Sequence, residues 1–411
     1  MSFEKKLNLY ADLLVKSGLN VQKGQTVVIT ASIESFQLVR EVAKIAYEVG
    51  AKEVVVDYND EVITRLKYLN VDAEEFKTVP KWFEHFRNDY ARENACFLYI
   101  EDSDPESLVG VEPVKLSNRI IATHTQCKEY FDLMNNMTNS WCIAGGSALK
   151  WANKVYPDMS DDEAKEALWN AIFKAAKIDE NQDPNVTWQK HRESFEKRVK
   201  YLNELNLDQV TYTNSLGTNI TIGLNNDYLF AGGGSYLNNG VYNFANIPTE
   251  EIFTTPNRSR VDGIVYSALP LNYNGSIIDE FFIEFKEGRA INYGAKVGYD
   301  VLKELIETDE GSHYLGEIAL IPYDSPINNM KTLFYSTLYD ENASCHFALG
   351  RGFSECIKDG VKYNEEELLK LGVNNSAVHC DFMLGTEDLN IEGTTKDGQT
   401  ITIFKDGNFA F

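Results

Sequence analysis

The chain has 411 residues, length enough for two or three domains, with the ordinary globular balance of 43% apolar and 25% charged residues. Lysine and arginine total 39 against 62 acids, a net charge of −23 that repels nucleic acid and anionic membrane and suits a soluble protein. No segment approaches the ~20 consecutive apolar residues of a membrane span.

The polar residues Asn8, Asp12 and Lys16 interrupt the run that a signal peptide needs, so the expected location is the cytoplasm. That first stretch reads instead as an amphipathic helix with Leu7, Tyr10, Leu14 and Val15 on one side. Gln25–Thr30 is a β-branched strand. Glu34–Val49 is a helix that buries Val39, Val42, Ala43 and Ala46, with Gly50 placed to end it. Glu53–Tyr58 is a second strand. Strand, helix and strand within ~30 residues make a βαβ unit and hence a parallel sheet. Ala95–Ile100 and Arg119–Thr123 read as further strands. The turn after Thr30 has no glycines, so a dinucleotide fingerprint is absent there and the sheet reads as scaffold.

The middle of the chain is helical. Ser160 and Glu163 form a capping box ahead of a stripe of Ala164, Leu168, Ala171, Ile172 and Ala175. A second helix is predicted over Val186–Leu205, with alternating charges on a solvated face. After Leu207 short strands recur: Gln209–Thr213, Asn219–Ile222, Gly263–Ser267, Phe281–Phe285, Glu317–Ile321, Ile391–Glu392 and Thr400–Phe404. Turn signals such as Asn239-Gly240, Asn274-Gly275 and Asp397-Gly398 separate them, and one helix over Val297–Thr308 interrupts them. The expected organisation is an α/β N-terminal domain with a parallel sheet over residues 1–200, including the helical connector. A mainly antiparallel β (α+β) domain follows over residues 201–411.

Six cysteines, at positions 96, 127, 142, 345, 356 and 380, form no CxxC pair and read as reduced, packed thiols. HExxH, GxSxG and Walker motifs are absent, and Gly232-Gly233-Gly234 reads as a turn or a close backbone approach. The chemistry lies in scattered acids and imidazoles: Glu250 and Glu251 in a turn-rich segment, Glu317 opening an apolar strand, Glu341 just before His346, and His379 two residues from Asp381. In a strand, residues two apart share a face. Carboxylates and imidazoles without thiolates suit open sites for Zn²⁺, Co²⁺, Mn²⁺ or Fe²⁺. Two ions ~3.5–4 Å apart need bridging carboxylates. Taken singly, each of these residues reads better as a surface charge or a hydrogen-bonded core histidine, and spacing does not bring the segments together.

Longer strings carry more. Trp151-Ala152 with Tyr156-Pro157-Asp158, Leu168-Trp169, Gly217–Gly223, Asn246–Thr254 and Asn342–Gly350 resemble the M29 metallo-aminopeptidases, the aminopeptidase T, aminopeptidase S and PepS group. The likeness spans nearly the whole chain and is strongest from Trp141 onward. It implies two divalent metal ions (Zn, Co, or Mg/Mn) in the C-terminal domain, held by Glu251, Glu317, Glu341, His346, His379 and Asp381. It also implies short peptide substrates and a homodimer. Glu250 is then the carboxylate placed to shuttle a proton, or else a turn residue paired with Arg258 or Arg260. The implied activity is release of N-terminal amino acids by a dinuclear-metal-activated water. One departure stands out. Where the family motif has a tyrosine seven residues after the first ligand histidine, this chain has Phe353, which has no hydroxyl to offer an oxyanion. That favours an alternative, a non-catalytic peptide- or metal-binding protein on the same scaffold.

Overall fold

A computed structural model of the chain describes residues 2–273 and 276–411; the Asn274-Gly275 turn expected from sequence lies outside the described residues. The chain divides into two compact units, Met1–Arg192 with Gly234–Pro248, and Glu193–Gly233 with Thr249–Phe411. The helix Pro184–Glu204 runs through the division.

The first unit is α/β. Its five strands are all parallel, in the order Asn246–Ile247, Trp141–Gly145, Cys96–Glu101, Thr26–Ser32, Glu53–Asn59. The strand Thr26–Ser32 is almost wholly buried, as a β-branched run between two helical layers must be. The helix Phe36–Glu48 packs Leu38, Val39, Val42, Ile45 and Ala46 inward, and Gly50 follows it at φ +99°. The capping box of Ser160 and Glu163 opens the helix Asp161–Ala175. The N-terminal amphipathic helix runs over Phe3–Leu13 and buries Leu7 and Tyr10.

One expected strand is corrected. Arg119–Thr123 lies inside the helix Pro113–Gln126. Its run of Ile120, Ile121 and Thr123 suggested a strand, yet β-branched residues lower helix propensity only slightly. Pro113 sits in the first turn, where its missing N–H costs nothing. Lys115 and Ala122 turn inward seven residues apart, which leaves Ile120 and Ile121 exposed. Packing of the whole helix overrode the preference of five residues.

The second unit holds two antiparallel sheets. A nine-stranded sheet runs in the order Leu271–Tyr273, Ser276–Lys286, Pro256–Tyr266, Asn219–Leu224, Leu207–Thr213, Asn390–Thr395, Thr400–Lys405, Asn408–Phe409, with Arg289–Val297 paired to Ser276–Lys286. A five-stranded sheet runs His379–Met383, His346–Gly350, Leu315–Leu320, Ile252–Thr254, Ala231–Gly232. One apolar core joins residues of both sheets, among them Tyr212, Ile222, Phe281, Ile318, Phe347 and Phe382. The helix Tyr299–Ile306 adds Leu302, Leu305 and Ile306 to it. Among the described residues, no helix is long and apolar enough to cross a membrane.

Candidate metal centre

The five-stranded sheet has two different faces, and strand alternation assigns each residue to one of them. Ile252, Ile318, Leu320, Phe347, Leu349, Cys380 and Phe382 face the core. Residues one step out of phase face the other way: Glu251 and Phe253, Glu317 and Ala319, His346 and Ala348, His379 and Asp381. Antiparallel register sets them in rows, Glu317 opposite Ala348 opposite Asp381, and Ala319 opposite His346. Ala348 stands between two carboxylates, and its methyl group leaves the space above it open to them. Gly232, at φ +156°, pairs with Ile252, and a Cβ there would lie 2.5 Å from the Glu251 carbonyl oxygen. Glycine is what lets this edge strand lie against Glu251.

Oxygen and nitrogen atoms gather into two groups that share Glu317. One is Glu251, Glu317 and His346; the other is Glu317, His379 and Asp381; within each group the atoms lie within 4.8 Å of one another. His379 Nε2 is 3.1 Å from Glu317 Oε2 and 3.3 Å from Asp381 Oδ1. His346 Nε2 is 3.5 Å from Glu251 Oε2 and 3.9 Å from Asp381 Oδ1. Each imidazole is fixed from behind by a backbone carbonyl: His346 Nδ1 donates to Glu341 O at 3.0 Å, and His379 Nδ1 to Arg351 O at 2.8 Å. A proton on Nδ1 turns the Nε2 lone pair toward the carboxylates, the arrangement of a metal-ligating histidine.

The electrostatics show what such crowding costs. Burial, together with the charge of Glu317, pushes the Glu251 carboxyl up to about 8. Burial alone would lower both histidines. The carboxylates around them outweigh it, so His346 is raised and His379 sits well above the usual imidazole range. Burial acts to raise Asp381 as well, but the proximity and charge of His379 and the charge of His346 hold it below the usual carboxylate range. Asp381 Oδ1 is buried and makes no hydrogen bond of acceptable geometry. An unbonded buried carboxylate oxygen in a nest of three acids and two imidazoles fits a divalent cation of the zinc, cobalt or manganese kind.

Of the six residues marked as ligands, the fold brings five together. Glu341 belongs to neither group. It meets the site through its backbone, by accepting from His346. Asn342 ties it to its neighbours: Nδ2 donates to Leu338 O at 2.9 Å and reaches Glu341 Oε1 at 3.5 Å, while Oδ1 accepts the Glu250 N–H at 2.7 Å. Glu250 is buried. The two arginines considered as its partners are engaged elsewhere: Arg260 pairs with Asp208 at 2.7 Å, and Arg258 lies over the Tyr314 ring at 4.1 Å. The charge acting on Glu250 is instead that of Arg198, half-buried on the helix Pro184–Glu204. No local signal in the sequence could have paired two residues so far apart.

Cys345 and Cys380 are buried packing thiols: Cys345 Sγ donates to Ile321 O at 3.2 Å, and Cys380 lies in the core. Phe353 stands beside the site, its ring 5.0 Å from that of His379 and 5.4 Å from that of Phe253.

Comparison with known proteins agrees with this geometry. The family model described as thermophilic metalloprotease (M29) matches residues 3–409. Aminopeptidase AmpS of Bacillus subtilis is 43% identical over 410 residues, covering all of both chains. Aminopeptidase 2 of Geobacillus stearothermophilus is 40% identical over 409 residues, covering 100% of this chain and 98% of the relative. The solved structure of wild-type AmpT from Thermus thermophilus superposes with a TM-score of 0.93 at 33% identity, covering both chains fully. A dihydroxypyridine dioxygenase from Pseudomonas putida shares the fold at a TM-score of 0.52 and 12% identity, covering 100% of this chain and 98% of that one, and is named for a different activity. Full-length identity above 40%, a family model spanning the chain and a nest of acids and imidazoles all lead to one assignment: the chain belongs to the thermophilic metalloprotease (M29) family and is a metallopeptidase.

Proposed function

We propose that the chain is a dinuclear metallo-aminopeptidase that removes the N-terminal residue from short peptides. The observation that carries this reading is the pair of ligand groups sharing Glu317, a donor set that would suit two cations. Glu251, Glu317, His346, His379 and Asp381 would hold the ions, and Glu341 would complete the set by rotating its side chain on the backbone that already orients His346. Zn²⁺, Co²⁺, Mn²⁺ and Mg²⁺ are the candidate ions. Bound divalent cations supply Lewis-acid polarisation of a carbonyl and make water acidic enough to attack near neutral pH.

The chain's own groups do the rest. Glu250 takes a proton from the attacking water and delivers it to the leaving amine. Its backbone N–H is anchored to Asn342. The carbonyls of Glu341 and Arg351 keep each imidazole in one tautomer throughout. His379 is the most exposed of the five gathered ligands, its side chain 28% exposed, and substrate would approach from its side.

Hydrolysis of amino-acid p-nitroanilides, with and without added Co²⁺ or Zn²⁺, tests the proposal. Metal-dependent release supports it. Metal bound at full stoichiometry with no release supports a second reading, a non-catalytic binding protein, which Phe353 favours because it has no hydroxyl beside His379. Location in the cytoplasm and assembly as a homodimer belong to the same reading, and light scattering on the purified protein tests the dimer.

A further inference from the structure

The first unit contains a cavity of about 410 Å³ that none of the metal-centre residues lines. Its floor is one face of the parallel sheet. Tyr99 and Ile143 are register partners on adjacent strands, and Trp141 is two residues from Ile143 on the same side. Its walls come from the helices Lys81–Arg92, Pro113–Gln126 and Lys128–Asn135. The volume falls within the ~300–1,000 Å³ range of small-molecule sites.

The cavity is lined by five aromatic side chains, Phe83, Tyr99, Tyr130, Phe131 and Trp141, and holds a single charged group, Arg87. That side chain is 11% exposed. Its guanidinium carbon lies 5.4 Å from the ring centre of Phe83, 5.9 Å from Phe86, and 5.5 Å from both Tyr99 and Tyr130. Nη1 donates to Tyr99 OH at 2.8 Å and Nη2 reaches Thr30 Oγ1 at 3.4 Å. These two bonds use two of the five N–H donors a guanidinium carries. The carboxylate of Asp57 stands 3.7 Å from Nη2, charge-balancing without a close hydrogen bond, and Asp57 is more exposed than Arg87. Burial pushes both phenols up, so Tyr99 and Tyr130 stay neutral; they are hydrogen-bonded to each other, which leaves one phenol O–H of the pair to donate to a ligand.

We propose that this cavity binds a small planar aromatic carboxylate, its ring between the aromatic walls and its carboxylate on Arg87. A guanidinium accepts a carboxylate through two parallel hydrogen bonds, and a partly desolvated setting strengthens them. Flat aromatic walls prefer a flat ring, edge-on or offset. None of the lining residues is acidic, so an ammonium group would meet no carboxylate there and would be repelled by Arg87; the ligand class is therefore an aromatic acid without an amine, distinct from the free amino acids a peptidase releases.

Calorimetric titration of the full-length protein with 2-naphthoate tests this. One saturable site with a Kd of about 10–100 μM is expected. 2-Naphthalenemethanol, with the same ring and no charge, binds at least about tenfold more weakly, and acetate does not bind. Arg87→Gln weakens 2-naphthoate by about tenfold or more, while Thr123→Trp fills the cavity from the helix and abolishes binding with Arg87 in place. Circular dichroism and p-nitroanilide hydrolysis confirm that each variant is folded. No saturable binding of 2-naphthoate up to about 1 mM, equal affinity for acid and alcohol, or binding that survives in both folded variants overturns the proposal.

Discussion

The two central sheets solve opposite problems. The parallel sheet of the first unit is flanked by helices, and its central strands Thr26–Ser32 and Cys96–Glu101 are largely buried apolar runs. The five-stranded antiparallel sheet of the second unit gives one face to the core and the other to acids and imidazoles drawn from residues 251 to 381. In the first sheet burial stabilises the fold directly. In the second, the inward face supplies apolar burial that offsets the repulsion of three clustered carboxylates on the outward one. A site of crowded like charges is tolerable only on a rigid, well-packed backing.

That contrast is open to attack, and the strongest blow falls on the second sheet. His379→Ala removes a ligand from one of the two groups and is expected to lose at least one ion by elemental analysis and to lower turnover by about 10³-fold or more. Unchanged stoichiometry and rate would take His379 out of the site. Next is Ala348→Leu, which puts bulk between Glu317 and Asp381. Metal affinity should fall by on the order of 10²-fold, with a stability loss of about 1–3 kcal/mol from overpacking, read by chelator competition and by thermal melting.

The pH dependence of the metal-free protein sharpens the same point. Glu251 is raised from 4.5 to about 8 and both histidines are raised above 6.5. Between about pH 4.5 and 8 the folded chain therefore holds more protons than the unfolded one, and stability must fall as pH rises. The Tm of chelator-treated protein should drop across that window, the gap to the metal-loaded form should widen, and metal uptake should release protons. A flat Tm profile in chelator would contradict the crowding described above.

Phe353→Tyr is expected to act more gently, raising kcat by about tenfold through a hydroxyl restored beside His379; no gain would mean that another group meets the oxyanion. Smallest of all, Arg87→Gln in the first unit should leave peptide hydrolysis within about twofold of the parent, since that side chain touches only groups of the first unit. A large loss would break the division between the two sheets.

Much of the parallel sheet and its helices was readable because their signals are local. The βαβ unit, the Ser160–Glu163 capping box and the helix expected over Val297–Thr308, found at Tyr299–Ile306, each rest on residues within a few turns of one another. The reading failed at Arg119–Thr123, where the β-branched Ile120, Ile121 and Thr123 looked like a strand, and only the packing of fourteen residues made them helix. The metal-centre residues were legible as types but not as a group. Family resemblance, rather than spacing, drew the six together.

Sequence alone places Glu317 at the start of a strand and sets His379 and Asp381 two residues apart, a spacing that shares a face wherever the segment is a strand; the strands His346–Gly350 and His379–Met383 are seen only in the fold. Which face, beside which neighbour and at what distance depended on register across antiparallel strands. Ala348 between two carboxylates, Gly232 against the Glu251 carbonyl and Arg198 acting on Glu250 are all such long-range outcomes. Local preference reaches a few residues along the chain, whereas Coulomb forces and packing act through space, and only the folded chain decides which distant residues share it.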